Sequence, residues 1–445
     1  LHDALPICLE RCRALMAEAG VAFRWGVDIR ALEVEAGRID RRTVLCLLTH
    51  DPKFDVPLLE IALGLDVGVG DGRGGDHVAQ HVDGGREVLV DIKASGLCHS
   101  DLHMMNNPKG FPLAAVLGHE VLAEVTELGP QARGVEVGQK VVVNPLLPCR
   151  LRGIQPPCKP CAAGQENGCE HTAEGCLAAG QMLGFQKDLP GGMGTEMVAH
   201  PSQLHPLPEG VGDKAGVLVE PLAVSLHAVL KVPLKDEDRV LVIGGGPVAF
   251  ACLWALRAVG SRCHVTLLAA EDYQVRLAKQ LGADEAFRVM RDDTAEAEEV
   301  ARRTGAKVYR PIIGPPALMG GYEVTFDCIG SAASVQDSLR YTRSLGKVVL
   351  VGAAGILERV DWTTVWRNEL TLLGSYVYGP ESFRGVRQHT FDLVLDLLAR
   401  REGPDPSMLV THTFPLARYQ EAIEANLARA RYQSVKTVFE LTVNP

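Results

Sequence analysis

Few folds accommodate the stretch from Arg239 to Val259. The segment Arg239-Val240-Leu241-Val242-Ile243 is apolar after its first residue and rich in β-branched side chains, which predicts a buried parallel strand. It runs directly into Gly244-x-Gly246-x-x-Ala249 and then into an apolar helical pattern through Leu253, Leu256 and Val259. Glycines at such a junction let the backbone approach a pyrophosphate, which the free amides and dipole of the helix N-terminus then hold. Val240 to Gly260 has nearly the length of a membrane span, but Gly244-Gly245-Gly246-Pro247 and Arg257 interrupt it, so it reads as strand, turn and helix. A second strand, His264 to Leu268, ends near Glu271. A carboxylate there accepts hydrogen bonds from ribose hydroxyls and repels a 2′-phosphate, so NAD is expected over NADP. Asp272 competes for that role, and either residue also reads as a solvated helix-start charge. Further strands at Glu323–Cys328 and Lys347–Val351, with a helical pattern over Ser334–Ser344 between them, predict a doubly wound parallel sheet of the α/β class. Gly330 and Gly352 follow strand ends, where loops line the cofactor crevice or simply turn.

A second concentration of chemistry lies upstream. Cys98-His99-Ser100-Asp101-Leu102-His103 is followed, 21 residues after the cysteine, by His119 within Gly118-His119-Glu120. Thiolate, imidazole and carboxylate are zinc ligands, and three of them leave a fourth position open for a bound alcohol to lose its proton near neutral pH. Ser100 and His103 are the groups through which that proton would leave. Taken singly, Cys98 reads as a buried thiol and His119 as a core histidine. Further on, Cys158-Lys159-Pro160-Cys161 is followed by Cys169, with Cys149 upstream. Four thiolates in a Pro- and Gly-rich loop would close a structural zinc site, whereas Cys158 and Cys161 alone would also suit a redox pair. Cys176 is read as a packing thiol.

A length of 445 residues allows two to three domains, and the net charge of -10 argues against a nucleic-acid partner. No basic leader with an apolar segment opens the chain, and short-range clustering of its cysteines favours metal ligation in a reducing compartment. The expectation is a cytoplasmic protein with no membrane partner.

From about Gly85 to Val443 these motifs, with Val219-Glu220-Pro221-Leu222, stand in an order that resembles the zinc-dependent medium-chain alcohol and polyol dehydrogenases. The resemblance implies a Rossmann domain (236–375) inserted in a mainly-β GroES-like catalytic domain, which occupies 76–235 and returns over 376–445. The structural zinc lobe would be 149–169, and the active site would lie between the domains. It implies Cys98, His119 and Glu220 as catalytic zinc ligands, with Glu120 joining or supporting them, and Cys149, Cys158, Cys161 and Cys169 on a structural zinc. Ser100 and His103 would relay the proton and Asp101 would orient the site. His99, Gly244, Gly246, Pro247, Val248, Glu271, Gly330 and Gly352 would line NAD. The implied activity is NAD-linked oxidation of a secondary alcohol, polyol or hydroxy-amine by a homodimer or homotetramer joined through nucleotide domains, with Glu369–Tyr378 as an edge or an interior strand. The rival readings are a catalytically silent zinc- and nucleotide-binding protein and a zinc-independent quinone or enone reductase.

Three features depart from that pattern. Eight residues separate Cys149 from Cys158 where the family usually has two, Ala249 replaces the third motif glycine, and Val308–Gly321 reads as an extra loop. Residues 1 to about 75 fit none of it. Arg11–Ile39 resembles a piece of a flavin-dependent amino-acid oxidase, and the stretch from Thr49 to Leu63 a molybdenum-enzyme maturation factor. Gly68–Gly75 reads as a flexible joint. The expectation is a fused or misassembled segment without a function of its own.

Overall fold

Alternation of apolar and polar side chains along Val88–Leu97 (β1) builds the first sheet, because every second residue of an antiparallel strand faces the same core. The computed structural model describes residues 85–106, 116–290, 292–310, 312 and 316–441. The 1–75 segment and its glycine joint lie outside those residues. β1 pairs antiparallel with Glu120–Leu128 (β2) and Glu196–Ala199 (β4), and β2 continues through Lys140–Val143 (β3) to Leu204–Pro206 (β5). Val88, Val90, Ile92, Val121, Ala123, Val125, Val141 and Val143 fill one core between them. Short helices His99–Asn106 (α1), Lys159–Ala162 (α2) and Asp213–Gly216 (α3) sit in the connections. The longer Val219–Leu230 (α4) leads out of this lobe.

The second sheet is all parallel. In chain order it comprises Arg239–Ile243 (β6), His264–Ala269 (β7) and Glu285–Arg288 (β8), then, beyond a hairpin of Lys307–Tyr309 (β9) and Ala317–Met319 (β10), Tyr322–Asp327 (β11), Thr342–Leu350 (β12) and Thr371–Gly374 (β13). Across the sheet the order is β13-β12-β11-β6-β7-β8. The chain winds outward one way from β6, returns to β11 beside it and winds out the other way, so the crevice opens between the ends of β6 and β11. Helices cover both faces: Val240 and Val242 pack with Phe250 and Leu253 of Pro247–Ala258 (α5), Leu241 and Ile243 with Ala297 and Val300 of Asp293–Thr304 (α7). Asp272–Gln280 (α6) follows β7, Ala332–Tyr341 (α8) follows β11, and Thr363–Arg367 (α9) precedes β13.

The chain then forms a hairpin, Pro380–Phe383 (β14) with Val386–His389 (β15), and a helix, Thr390–Ala399 (α10). Val410–Pro415 (β16) and Lys436–Glu440 (β17) rejoin the first sheet, where β17 pairs with β1. Tyr419–Leu427 (α11) and Arg429–Tyr432 (α12) lie between those two strands. One core cluster draws Ala94, Leu122 and Val142 of the first sheet together with Val240, Val242 and Phe326 of the second through α4. The architecture is thus a doubly wound sheet inserted in a mainly-β lobe, and Val240–Gly260 is strand, turn and helix. Among the described residues no helix is long and apolar enough to cross a membrane.

Three local readings change. The helix expected over Ser334–Ser344 ends at Tyr341, because Thr342 already pairs with Tyr322 and carries the chain into β12. The expected loop Val308–Gly321 holds the β9–β10 hairpin, pinned by Leu318 buried against the α7 side of the sheet. Of Glu369–Tyr378, only Thr371–Gly374 is a strand, and it forms the edge of its sheet.

Candidate active site

Cys98 stands where β1 hands over to α1, and Asp101 fixes that turn. The buried Asp101 carboxylate accepts from the Cys98 amide at 2.9 Å and the Gly118 amide at 3.3 Å, and its Oδ1 lies 3.3 Å from His119 Nδ1. This holds the His119 ring by one nitrogen and leaves Nε2 for a ligand, the arrangement by which a carboxylate orients a metal-binding imidazole. Burial opposes protonation of His119, but the Asp101 charge and Cys98 outweigh it and raise the imidazole well above its ordinary range. Ser100 Oγ lies 3.5 Å from Nε2, on the side away from Asp101. Phe185 packs on the His119 ring, 4.9 Å between centroids.

Ligand atoms of Cys98, His119 and Glu120 all fall within 4.8 Å of one another. Glu120 opens β2 opposite Gly96, and a side chain on Gly96 would collide with the Glu120 carboxylate. That carboxylate is held by Lys436, whose Nζ stands 2.6 Å from both of its oxygens in a fully buried pair and 3.4 Å from the Leu97 carbonyl. Glu220, the second residue of α4, is buried but outside the cluster of three. Burial, opposed by the His119 charge and reinforced by that of Glu120, pushes its carboxyl up to about 7. His99 and His103 stand exposed on α1 with rings edge-on at 4.7 Å. Partial desolvation of the ring against the protein and the nearby Arg429 charge lower the His99 imidazole.

The four cysteines converge as well. Sulfurs of Cys149, Cys158, Cys161 and Cys169 lie within 4.8 Å of one another, with Cys149 and Cys169 at 3.7 Å, while Cys176 is exposed and outside. The long Cys149–Cys158 spacer folds back on itself: the Arg152 and Ile154 amides donate to the Cys149 carbonyl. Arg152 is fully buried inside the loop and donates to the carbonyls of Leu147, Glu174, Leu177, Ala178 and Gly180. Amides of Cys158 and Glu170 point at the sulfurs of Cys149 and Cys158, as donors to thiolates do. A donor set of four clustered, largely buried sulfurs suits a closed tetrahedral zinc site.

At the crevice of the parallel sheet, Gly244 has φ 137°, open to glycine alone, and Gly246 caps α5 with Pro247 and Val248 in its first turn. Glu271 caps α6 just past β7, its amide donating to Gln274 Oε1 at 3.0 Å, and Gln274 packs beneath Gly245. Gly330 (φ 80°) and Gly352 meet backbone to backbone, and a Cβ on Gly330 would lie 2.7 Å from the Ala354 amide. The Asp327 carboxylate ties this junction through the Ile329 and Gly330 amides at 2.9 and 3.1 Å. The bare cradle over Gly244–Gly246 at a helix N-terminus fits a dinucleotide pyrophosphate. Sequence reasoning missed Lys436; a lone lysine in the apolar run Val435–Phe439 was the visible signal for it.

Comparison with known proteins agrees with this geometry. Residues 84–209 match the family described as alcohol dehydrogenase GroES-like domain, and residues 247–398 the family described as zinc-binding dehydrogenase. The chain is 30% identical over 363 residues to L-idonate 5-dehydrogenase of Vitis vinifera, covering 80% of this chain and 88% of that one. It is 28% identical to sorbitol dehydrogenase of Arabidopsis thaliana, with 80% and 89% covered. The crystal structure of L-idonate 5-dehydrogenase from Escherichia coli superposes with a TM-score of 0.61 at 25% identity, covering 80% and 91%.

Proposed function

Because the chain belongs to the zinc-dependent medium-chain alcohol and polyol dehydrogenases, we propose that it oxidises a secondary alcohol, polyol or hydroxy-amine to the carbonyl with NAD as acceptor. The observation that carries this is the meeting of Cys98, His119 and Glu120 at the end of β1, with the Ser100 hydroxyl beside the free nitrogen of His119. When bound, zinc lowers the pKa of an alcohol, and NAD takes the hydride from its carbon. Cys98 and His119 would hold the metal. Glu220 is the stronger third ligand, since both oxygens of Glu120 are engaged by Lys436 whereas no described lysine or arginine forms a salt bridge with the buried Glu220. Ser100 would take the alcohol proton and His103, one helical turn on and exposed, would pass it to water. The four-cysteine cluster would hold a second zinc. Glu271 favours NAD over its 2′-phosphorylated form.

We also propose a homodimer or tetramer. β13 is an unpaired sheet edge, and Trp362, Trp366 and Leu345 beside it are 50%, 72% and 69% exposed. Light scattering should find an oligomer that Trp366→Glu weakens; a wild-type monomer would reject the idea. The unpaired state of the nine described cysteines supports a reducing, cytoplasmic setting.

The primary test is zinc per chain in protein purified without added metal, followed by NADH formation on secondary alcohols and polyols. Two equivalents and activity abolished by chelation are expected. Turnover that survives metal removal would point to the zinc-independent enone reductases instead, and zinc with no turnover on any donor to a silent binding protein.

A further inference from the structure

The cysteine lobe does not only close on itself. Asn167 stands in the tight turn Glu166–Gly168, two residues before Cys169, and reaches out of the lobe to the stretch that leads from β13 to β14. Its Nδ2 donates to the Tyr376 carbonyl at 3.2 Å, and a Cβ on Gly379 would lie 3.2 Å from its Oδ1. The Tyr376 hydroxyl donates to Gln181 Oε1 at 2.8 Å, and Gln181 Nε2 donates to the Asn167 carbonyl at 3.0 Å, which closes a circuit of three residues.

The circuit holds a backbone that resists its own shape. Val377 has φ 43°, in the left-handed region where a β-branched side chain crowds the main chain. The ends of the stretch are tied elsewhere: the Ser375 amide donates to the Leu350 carbonyl at 2.9 Å, and the Gly379 amide to Thr390 Oγ1 at 3.1 Å. Between those ties, among the described residues, the backbone receives a hydrogen bond from Asn167 alone. Strain of this kind persists only where surrounding contacts over-determine it, and it gathers at functional sites. Here the strained turn presents Tyr378 to the zinc site. Tyr378 is fully buried, edge-on to Phe391 with ring centroids 4.7 Å apart. Buried hydroxyls take a partner. Among the described residues nothing besides Glu220 offers this one a hydrogen bond, and the Glu220 charge, after burial itself, raises the phenol well above its usual range.

We propose that Asn167 and Gln181 are positioning residues: from the cysteine lobe they fix the Tyr376–Tyr378 turn, and through the Tyr378 hydroxyl they fix the Glu220 carboxylate. This rests on the assignment of Glu220 as third ligand. The lobe would then set the geometry of a metal it does not touch, because Asn167 is carried by the same short turn that delivers Cys169 to the sulfur cluster.

The test measures zinc affinity by chelator competition on the zinc-loaded full chain, without substrate or cofactor. The catalytic equivalent is identified as the one missing from Cys98→Ser. Asn167→Ala, Gln181→Ala and Tyr376→Phe, which keeps its ring, should each bind that equivalent roughly 10-fold more weakly, the effect expected of groups that orient a metal ligand. The equivalent held by the four cysteines should be released as in wild type. Adding Tyr376→Phe to Gln181→Ala should cost nothing further, since both cut one hydrogen bond. Arg387→Ala is the control: it removes another contact to the same lobe, Arg387 Nη2 to the Ala163 carbonyl at 3.3 Å, and should change neither equivalent. Wild-type affinity in all three variants overturns the proposal. So does equal weakening in Arg387→Ala, or of both equivalents together, as a general loosening of the lobe. If Glu220→Ala loses one zinc while the three variants hold theirs as tightly as wild type, the third-ligand assignment stands and the positioning role falls. If Glu220→Ala keeps both, or wild type binds none, assignment and proposal fall together. Should Asn167→Ala fail to fold, Tyr376→Phe, which removes a single hydroxyl, decides alone.

Discussion

At the scale of single residues, proton transfer and metal retention should separate. Ser100 lies beside the free His119 nitrogen but is not a ligand, so Ser100→Ala should lower kcat by roughly 10²- to 10⁴-fold with zinc content unchanged. Zinc loss in that variant would contradict the relay. Glu220→Ala, by contrast, should cost one of two zinc equivalents on metal analysis; retention of both would hand the third position to Glu120. The convergence of Cys98, Asp101, His119 and Glu120 was legible, because they are close in sequence and carry side chains of metal-ligand chemistry. Lys436 was not, since its partner Glu120 is 316 residues away and only the pairing of β17 with β1 brings the two together. A third residue effect is a dependence on pH. His389 Nδ1 accepts from the Phe391 amide at 3.2 Å and caps α10. Burial, then the charge of neighbouring His205, against the attraction of Asp392, lowers its imidazole to about 3. The unfolded chain binds a proton below about 6.5 and the native site does not, so stability present above that pH falls on acidification toward 3. The expected slope is on the order of 1 kcal/mol per pH unit, and thermal melts of His389→Asn should show a flatter profile over that window. Parallel profiles would refute the assignment.

At the scale of elements, the glycines divide by what they touch. Gly330 has a positive φ and would meet the Ala354 amide if given a side chain, so Gly330→Ala should destabilise the fold by about 1–3 kcal/mol, read as a lowered denaturation midpoint. A midpoint equal to wild type would mean the junction shifts freely. Most of the parallel strands declared themselves as apolar runs because both faces are buried, and β6, β7 and β11 match their expected positions closely, whereas the short β8 was not anticipated. Boundaries decided by pairing did not declare themselves. Helix α8 gives way to β12 at Thr342 because Tyr322 pairs there, a contact that no local pattern announces. The β9–β10 hairpin stayed hidden for a similar reason: Pro311, Gly314, Pro315 and Pro316 advertise a loop, and its flanks become strands only against each other. The wide Cys149–Cys158 spacer departs from the family's usual two residues, and it houses the buried Arg152 that binds five carbonyls of the same lobe.

At the scale of the whole molecule, the two proposed zinc sites differ in reach. The four cysteines lie between 149 and 169, with hydrogen bonds drawn from the same loop, so that site is assembled from local contacts. The catalytic cluster depends on a strand that arrives after the entire parallel sheet: without Lys436 the buried Glu120 is an unpaired charge, a state worth several kcal/mol against folding. During synthesis on the ribosome the two centres must therefore mature in order. On the proposed assignment the cysteine lobe would take up its metal while the nucleotide-binding strands are still unmade, whereas the catalytic site would wait for the last strand, and a nascent or truncated chain ending before β17 would carry one zinc and no means of turnover.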